Sequence, residues 1–268
     1  MPPSRKRTRS YDPAKTRAAV SAQFEHVRTA ALTLTAGQLA LPTRLGTWTV
    51  RELLAHIALG MRSVTRAVTA PEPTRRDLAL ADWPAATGGF ADRVDEGTRA
   101  FTETSVRDGE DLARLYADTA AEFAETLAGT ADERLVATRL GGMTLADFLV
   151  TRALELTVHT DDLNAATGLA VPHDRQALAT CTRFLADALA LKAPGGSVEV
   201  RVPPYAVVQC VEGPRHTRGT PPNVVETDPL TWTRLATGRT TWTTARESAR
   251  LRASGDRADL SPWLPLMT

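Results

Sequence analysis

Cysteine is nearly absent from this sequence, which places only Cys181 and Cys210 in 268 residues. Two thiols cannot build a disulfide framework or a four-cysteine zinc site. Cys181 falls in a helical pattern with Leu178, Phe184, Leu185 and Ala188, while Cys210 alternates with Val208 and Ala206 in a strand-like run. Both read as small core residues, so any thiol chemistry must draw its thiol from outside the chain. Lysine is scarce too, present only at positions 6, 15 and 192. That skew toward arginine, with abundant alanine, points to a GC-rich bacterial genome and says nothing of the fold. An excess of either charge is missing: 32 basic residues face 31 acidic ones, for a formal net charge of +1. Such a balance gives no global field toward nucleic acid or anionic lipid. No uncharged apolar run approaches the ~20 residues of a membrane helix. The basic, proline-containing start has no apolar stretch behind it of the kind a secretory signal carries. The cytoplasm is the expected location.

What is present is a core. Hydrophobic residues make up 43% of the chain and charged residues 24%, the balance of a globular protein long enough for two domains. Residues 1–12, with the cluster Arg5, Lys6, Arg7 and Arg9, read as a solvated disordered tail rather than a nucleic-acid arm. From Pro13 the pattern turns helical: Val20, Phe24, Val27, Ala31 and Leu34 share one face, with His26 expected outside it. A second helix opens at Thr49, where Glu52 three residues on makes a capping box. The stretch from Asp77 to Asp108, broken by Gly88-Gly89, reads as a long connection with short helical turns. A third helix spans about Asp111 to Leu127, and a fourth runs from Thr144 to Gly168. Four helices of this length predict a bundle over residues 13–170.

After Val171-Pro172 the grammar changes. One further helix, about Asp174 to Leu191, leads to two β-rich runs, SVEVRV and YAVVQCV. Asp228-Pro229 then caps and opens a short helix that stops at Gly238. Another short helix and a strand-like ARLRASG follow. Residues 171–268 are therefore expected to form an α+β domain.

The chemistry is concentrated in TRALELTVHTDDLNAATG. On a helix, Arg152, Glu155, His159 and Asp162 lie within about 80° of one another. Leu154 and Val158 flank this stripe on one side and Leu149, Leu156 and Leu163 on the other. It therefore points into the apolar arc, and Thr157, Thr160, Asp161, Asn164 and Ala153 occupy the opposite side. A carboxylate buried there costs several kcal/mol unless it is paired or metal-bound. Glu155 and His159, four residues apart, can converge on one ion; a simple Glu–His or Arg152–Glu155 pair is the alternative. His56 is the candidate third ligand, at the edge of an apolar arc (Leu53, Ile57, Met61, Val64) beside the small residues Gly60, Ser63 and Ala67.

Two segments, WTVRELLAH ending at His56 and RALELTVHTDDL spanning Arg152 to Leu163, resemble the DinB-related family that includes mycothiol-dependent maleylpyruvate isomerases. The resemblance covers roughly residues 13–170. It implies a DinB-like four-helix bundle in which His56, Glu155 and His159 bind a divalent metal, usually zinc. Asp162 corresponds to a family acid that orients a ligand, and Arg152 is expected to tune the site without binding metal. The segment from ETDPLTWTRLATGRTTW onward resembles the sterol-carrier-protein-like domain attached to these enzymes, which implies that an arginine there, Arg234 or Arg239 foremost, binds an acidic substrate. The expected activity is a mycothiol-dependent isomerase or thiol S-transferase acting on a small electrophile, with the metal and mycothiol as cofactors. The rival is a non-enzymatic binder of lipid or another hydrophobic ligand, with a structural metal.

Overall fold

Helix boundaries follow the local chemistry of the chain. The computed structural model describes residues 9–214 and 221–267. Helix α1, Pro13–Ala31, opens with Asp12 accepting from the Lys15 amide and with proline in its first turn. A single turn α2, Ala36–Leu39, precedes α3, Val50–Thr69, whose Thr49 amide donates to the Glu52 carboxylate at 2.6 Å. A short turn, α4 (Trp83–Ala86), leads to α5, Ala91–Ser105, and α6, Gly109–Ala128. The strands β1, Leu135–Thr138, and β2, Gly141–Thr144, form an antiparallel hairpin that delivers the chain into α7, Leu145–Thr167. Thr144 caps α7, and Gly168 ends it in the left-handed conformation at φ 73°, where glycine carries no Cβ penalty.

Helices α1, α3, α6 and α7 form the bundle, with α1 and α3 each packed against both α6 and α7. Val20, Phe24, Leu53, Leu54, Leu112, Leu149 and Leu163 fill its interior. Tyr116 stacks on Phe24 with ring centroids 5.1 Å apart and donates to the Leu54 carbonyl. That contact ties three helices and satisfies a hydroxyl that burial would otherwise penalise.

The C-terminal part contains α8, Arg175–Lys192, the strands β3, Val198–Val202, β4, Ala206–Cys210, and β5, Val224–Thr227, the helices α9, Pro229–Ala236, and α10, Trp242–Glu247, and strand β6, Leu251–Ser254. Its sheet runs β4-β3-β5-β6. The two outer pairings are antiparallel and β3 pairs with β5 in parallel. Helix α8 joins the two parts, packing on α1 and α7 on one side and on β4 and α9 on the other. Gln23, fully buried, stitches this junction: it donates to Thr160 and Pro172 and accepts from the Asp174 amide.

Four details differ from the sequence expectation. The connection from Asp77 to Asp108 contains a full helix, α5, whose buried residues are Thr98 and Thr102 rather than leucines, so apolar periodicity does not mark it. The side of α7 bearing Ala153, Thr157, Thr160 and Asp161 is as buried as the side facing the bundle, because α1, α8 and the C-terminal part cover it. The tail is not wholly free: Arg9 pairs with Asp187 of α8 at 2.9 Å, while Arg5, Lys6 and Arg7 lie outside the described residues. His26 is half-buried, with its Nδ1 3.1 Å from the Pro172 carbonyl oxygen. Among the described residues no helix is long and apolar enough to cross a membrane.

Candidate metal centre

The inward stripe of α7 meets α3. His56, Glu155 and His159 each offer a ligand atom there, and the three atoms lie within 4.8 Å of one another. The His56 Nε2 is 3.6 Å from a Glu155 carboxylate oxygen. The two imidazoles meet edge to face at a centroid separation of 4.9 Å. Together with Ile57, Gly60, Met61, Arg152 and Leu156 they line a small cavity. Ile57, Met61 and Leu156 form its apolar walls.

Each histidine has its Nδ1 engaged elsewhere, which turns Nε2 toward the shared space. His56 Nδ1 lies 3.3 Å from the Thr98 hydroxyl of α5, and its ring packs 5.1 Å from Trp48. Trp48 is itself held by donating to Asp95 of α5. His159 Nδ1 lies 2.9 Å from Asp162 Oδ2. Such outer partners fix ring orientation and tautomer in metal sites. Burial pushes the His56 imidazole below its ordinary value, an effect that its Glu155 contact only partly offsets, so the ring favours the neutral state a ligand needs. Burial alone would raise the Glu155 carboxyl, but Arg152, His56 and His159 outweigh it and hold the group well below the usual carboxylate range. Two imidazole nitrogens and an ionised carboxylate form a donor set suited to zinc or another divalent first-row metal, and the residues present fit such an ion.

Arg152 borders the same space. Its guanidinium lies 3.6 Å from Glu155, stacks over Phe148 at 4.9 Å and donates to the Thr151 hydroxyl. Gly60 lies beside it: a Cβ built there would be in ordinary van der Waals contact with Arg152 Nη1, 3.4 Å away.

Behind His159 lies a cluster of charges. Asp161 and Asp162 are almost fully buried, and three arginines converge on them. Arg44, from the loop before α3, reaches Asp162 through Nε at 2.5 Å and Asp161 through Nη2. Arg234 of α9 grips Asp161 at 2.6 Å, and Arg239, just beyond α9, reaches Asp162 Oδ2 at 3.1 Å. Burial opposes ionisation of both acids, but these arginines, with His159 at Asp162, keep both below the ordinary range. Arg234 and Arg239 are thus engaged with aspartates of the bundle instead of reaching freely into the cavity. Arg250 and Arg252 are exposed.

Sequence reasoning did not single out Arg44, Asp161 or Thr98. Arg44 sits in a loop without periodicity, Asp161 lies on the side of α7 away from the bundle core, and Thr98 belongs to a helix that carries no leucine stripe. The adjacent acids Asp161-Asp162 beside a candidate ligand histidine were the visible signal, since buried carboxylates require partners.

Among curated proteins none matches the chain. The profile of the bacterial SCP ortholog family matches residues 174–266. Among solved structures, the crystal structure of the mycothiol-dependent maleylpyruvate isomerase is 17% identical, with a TM-score of 0.61 over 91% of this chain and 93% of that one. A histidine-to-alanine mutant of that enzyme is 16% identical, with a TM-score of 0.60 and the same coverage. These likenesses establish that the chain shares its fold with that protein. The profile of the mycothiol maleylpyruvate isomerase N-terminal domain matches residues 20–164, more than half of the chain, and the chain belongs to that family.

Proposed function

We propose that the chain is a metal- and mycothiol-dependent isomerase or S-transferase for a small, electrophilic, acidic substrate. The observation that carries this reading is that His56, His159 and the Glu155 carboxylate each bring a ligand atom to one cavity, each histidine with its Nδ1 beside a hydrogen-bond partner. A divalent metal held there, zinc by the chemistry of the set, supplies a Lewis acid that makes an incoming thiol a thiolate near neutral pH. The chain's residues do the rest. Ile57, Met61 and Leu156 keep the cavity apolar, which strengthens electrostatic contacts inside it. The Arg152 guanidinium borders the cavity and suits a substrate carboxylate. Thiolate addition to an activated cis double bond, rotation about the resulting single bond and loss of the thiolate give isomerisation with the thiol regenerated. If the thiolate stays attached and the neighbouring carbon takes up a proton, the result is S-transfer.

Mycothiol is the thiol the family supports, and the burial of Cys181 and Cys210 leaves the nucleophile to an exogenous molecule. Residues 13–170 are proposed as the metal-binding domain and 171–268 as its sterol-carrier-like companion, in a cytoplasmic protein. The deciding experiment is turnover of cis-enoyl acids and other electrophiles by zinc-loaded protein with and without mycothiol. Turnover that requires mycothiol and vanishes in His56→Ala supports the proposal. Tight binding of fatty acids without mycothiol binding or turnover would replace it with the reading of a hydrophobic-ligand carrier.

A further inference from the structure

The loop between α2 and α3 touches one candidate histidine ligand directly and the other through an intermediary. The loop is pinned at its ends: Pro42 and Thr49 form a β-bridge, and the Thr43 amide donates to the Trp48 carbonyl at 2.8 Å. From this frame Trp48 packs against the His56 ring, and Arg44 reaches Asp162, which holds His159. The same Arg44 also grips Asp161, and the two remaining partners of this acid pair, Arg234 and Arg239, belong to the C-terminal part.

The charge balance of the cluster bears on its role. Two buried carboxylates receive three guanidinium groups, so no further positive charge is needed to neutralise Asp162. Its contact with His159 Nδ1 is then one of orientation: the carboxylate is fixed from Arg44 on one side and Arg239 on the other, and the imidazole takes its direction from it. A buried carboxylate gripped from two elements has little rotational freedom, and its position depends on both. Removing Arg239 means removing part of the docked C-terminal part; removing Arg44 loosens both acids together.

We propose that Arg44 and Arg239 are positioning residues for the metal centre, and that docking of the C-terminal part and metal binding at His159 are one coupled equilibrium transmitted through Asp162. The inference rests on the reading of His159 as a metal ligand. It predicts linkage in both directions, as any coupling between two sites must be reciprocal. Loss of either arginine weakens the metal, and bound metal protects the docked interface.

The test uses the full chain and Zn2+ alone, with affinity measured by competition against a chromophoric chelator. Arg44→Ala and Arg239→Ala are expected to lower Zn2+ affinity by roughly 10-fold, as loss of an outer partner does. Arg44→Lys, which can serve only one of the two acids at a time, should recover part of the loss. Arg234→Ala removes a docking contact that touches only Asp161, so its effect reaches His159 only through the loosened interface and should lower Zn2+ affinity by no more than roughly two- to threefold, clearly less than Arg239→Ala. Hydrogen exchange of the unmutated protein provides the second measurement, because Zn2+ should slow exchange in α9. Unchanged affinity in both Arg44→Ala and Arg239→Ala overturns the inference, as does an equal loss in Arg234→Ala or exchange in α9 indifferent to Zn2+. If the unmutated chain binds no Zn2+, the metal reading itself falls and takes this inference with it. If it binds Zn2+ and the variants match it, only the inference fails.

Discussion

Asp162 and His159 lie three residues apart on α7, with the Asp162 carboxylate 2.9 Å from Nδ1 of the imidazole and fully shielded from solvent. The acid is thus placed to hold the ring rather than to bind an ion in the cavity beyond it. Replacing it with asparagine keeps the shape but removes the charge that three partners share. Asp162→Asn is expected to weaken Zn2+ affinity by roughly 10–100-fold, whereas His159→Ala and Glu155→Ala should abolish stoichiometric metal binding. Metal analysis of the purified proteins checks both. Full metal content in the ligand variants would remove the assignment.

Thr98 offers a parallel case on the other histidine. Its hydroxyl is the partner of His56 Nδ1 at 3.3 Å and is buried in the α3–α5 contact. Thr98→Val preserves volume but cannot hydrogen-bond, so Zn2+ affinity should fall by roughly 10-fold, while Thr98→Ser should stay close to the parent. Chelator competition on the three proteins decides the matter. Equal affinities would make Thr98 a packing residue only.

The bundle and its candidate ligands were legible because each left a periodic or chemical mark. Val20, Phe24 and Val27 repeat on one face of α1, Thr49 and Glu52 announce α3, and Glu155 and His159 interrupt an apolar arc where a carboxylate needs a reason to be. The hairpin β1–β2 left no such mark: its strands have four residues each and include Gly141 and Gly142. A Cβ at Gly142 would come within 2.6 Å of the Arg75 carbonyl, so glycine answers a close backbone approach made by residues distant in sequence. The charge cluster was hidden for a related reason. Arg44, Asp161 and Arg234 come from a loop and two helices that only the tertiary fold brings together. The hydrophobic pattern of α7 assumed one covered face, whereas the C-terminal part covers a second.

Cys181 yields a prediction about alkaline stability. Burial pushes its thiol from 9.0 up to about 12, and the hydrogen bond with Thr233 offsets only a little of that rise. A folded pKa above the unfolded one means that the stability contribution is complete below pH 9. It is lost as pH rises toward 12, because the unfolded chain releases the proton first. By about pH 10.5 the loss should reach roughly 2 kcal/mol. Urea unfolding of the parent and of Cys181→Ala at about pH 8 and about pH 10.5 measures it. The variant should be less stable at the lower pH yet show a shallower decline between the two. A native thiol that reacts readily with a disulfide reagent at pH 8 would contradict the burial on which the argument stands.

Arg152 provides the last prediction, which concerns substrate charge. The arginines expected to meet an acidic substrate, Arg234 and Arg239, are engaged with Asp161 and Asp162. Arg152 instead borders the cavity itself, with Glu155 3.6 Å away as a counter-charge. A metal at the centre would draw on that same carboxylate, leaving the guanidinium free to pair with a carboxylate of the substrate, where its planar fork gives two parallel hydrogen bonds. Arg152→Lys keeps the charge but loses the fork, and Arg152→Ala loses both. With an acidic electrophile and mycothiol, kcat/KM should fall by roughly 100-fold or more in Arg152→Ala, corresponding to a charged hydrogen-bonded contact of about 3 kcal/mol. Arg152→Lys should fall between that variant and the parent. The same substitutions should change turnover of an uncharged ester of that substrate far less, and Zn2+ content should be retained in both variants. Equal losses on acid and ester would mean that Arg152 acts on Glu155 and the metal rather than on substrate charge.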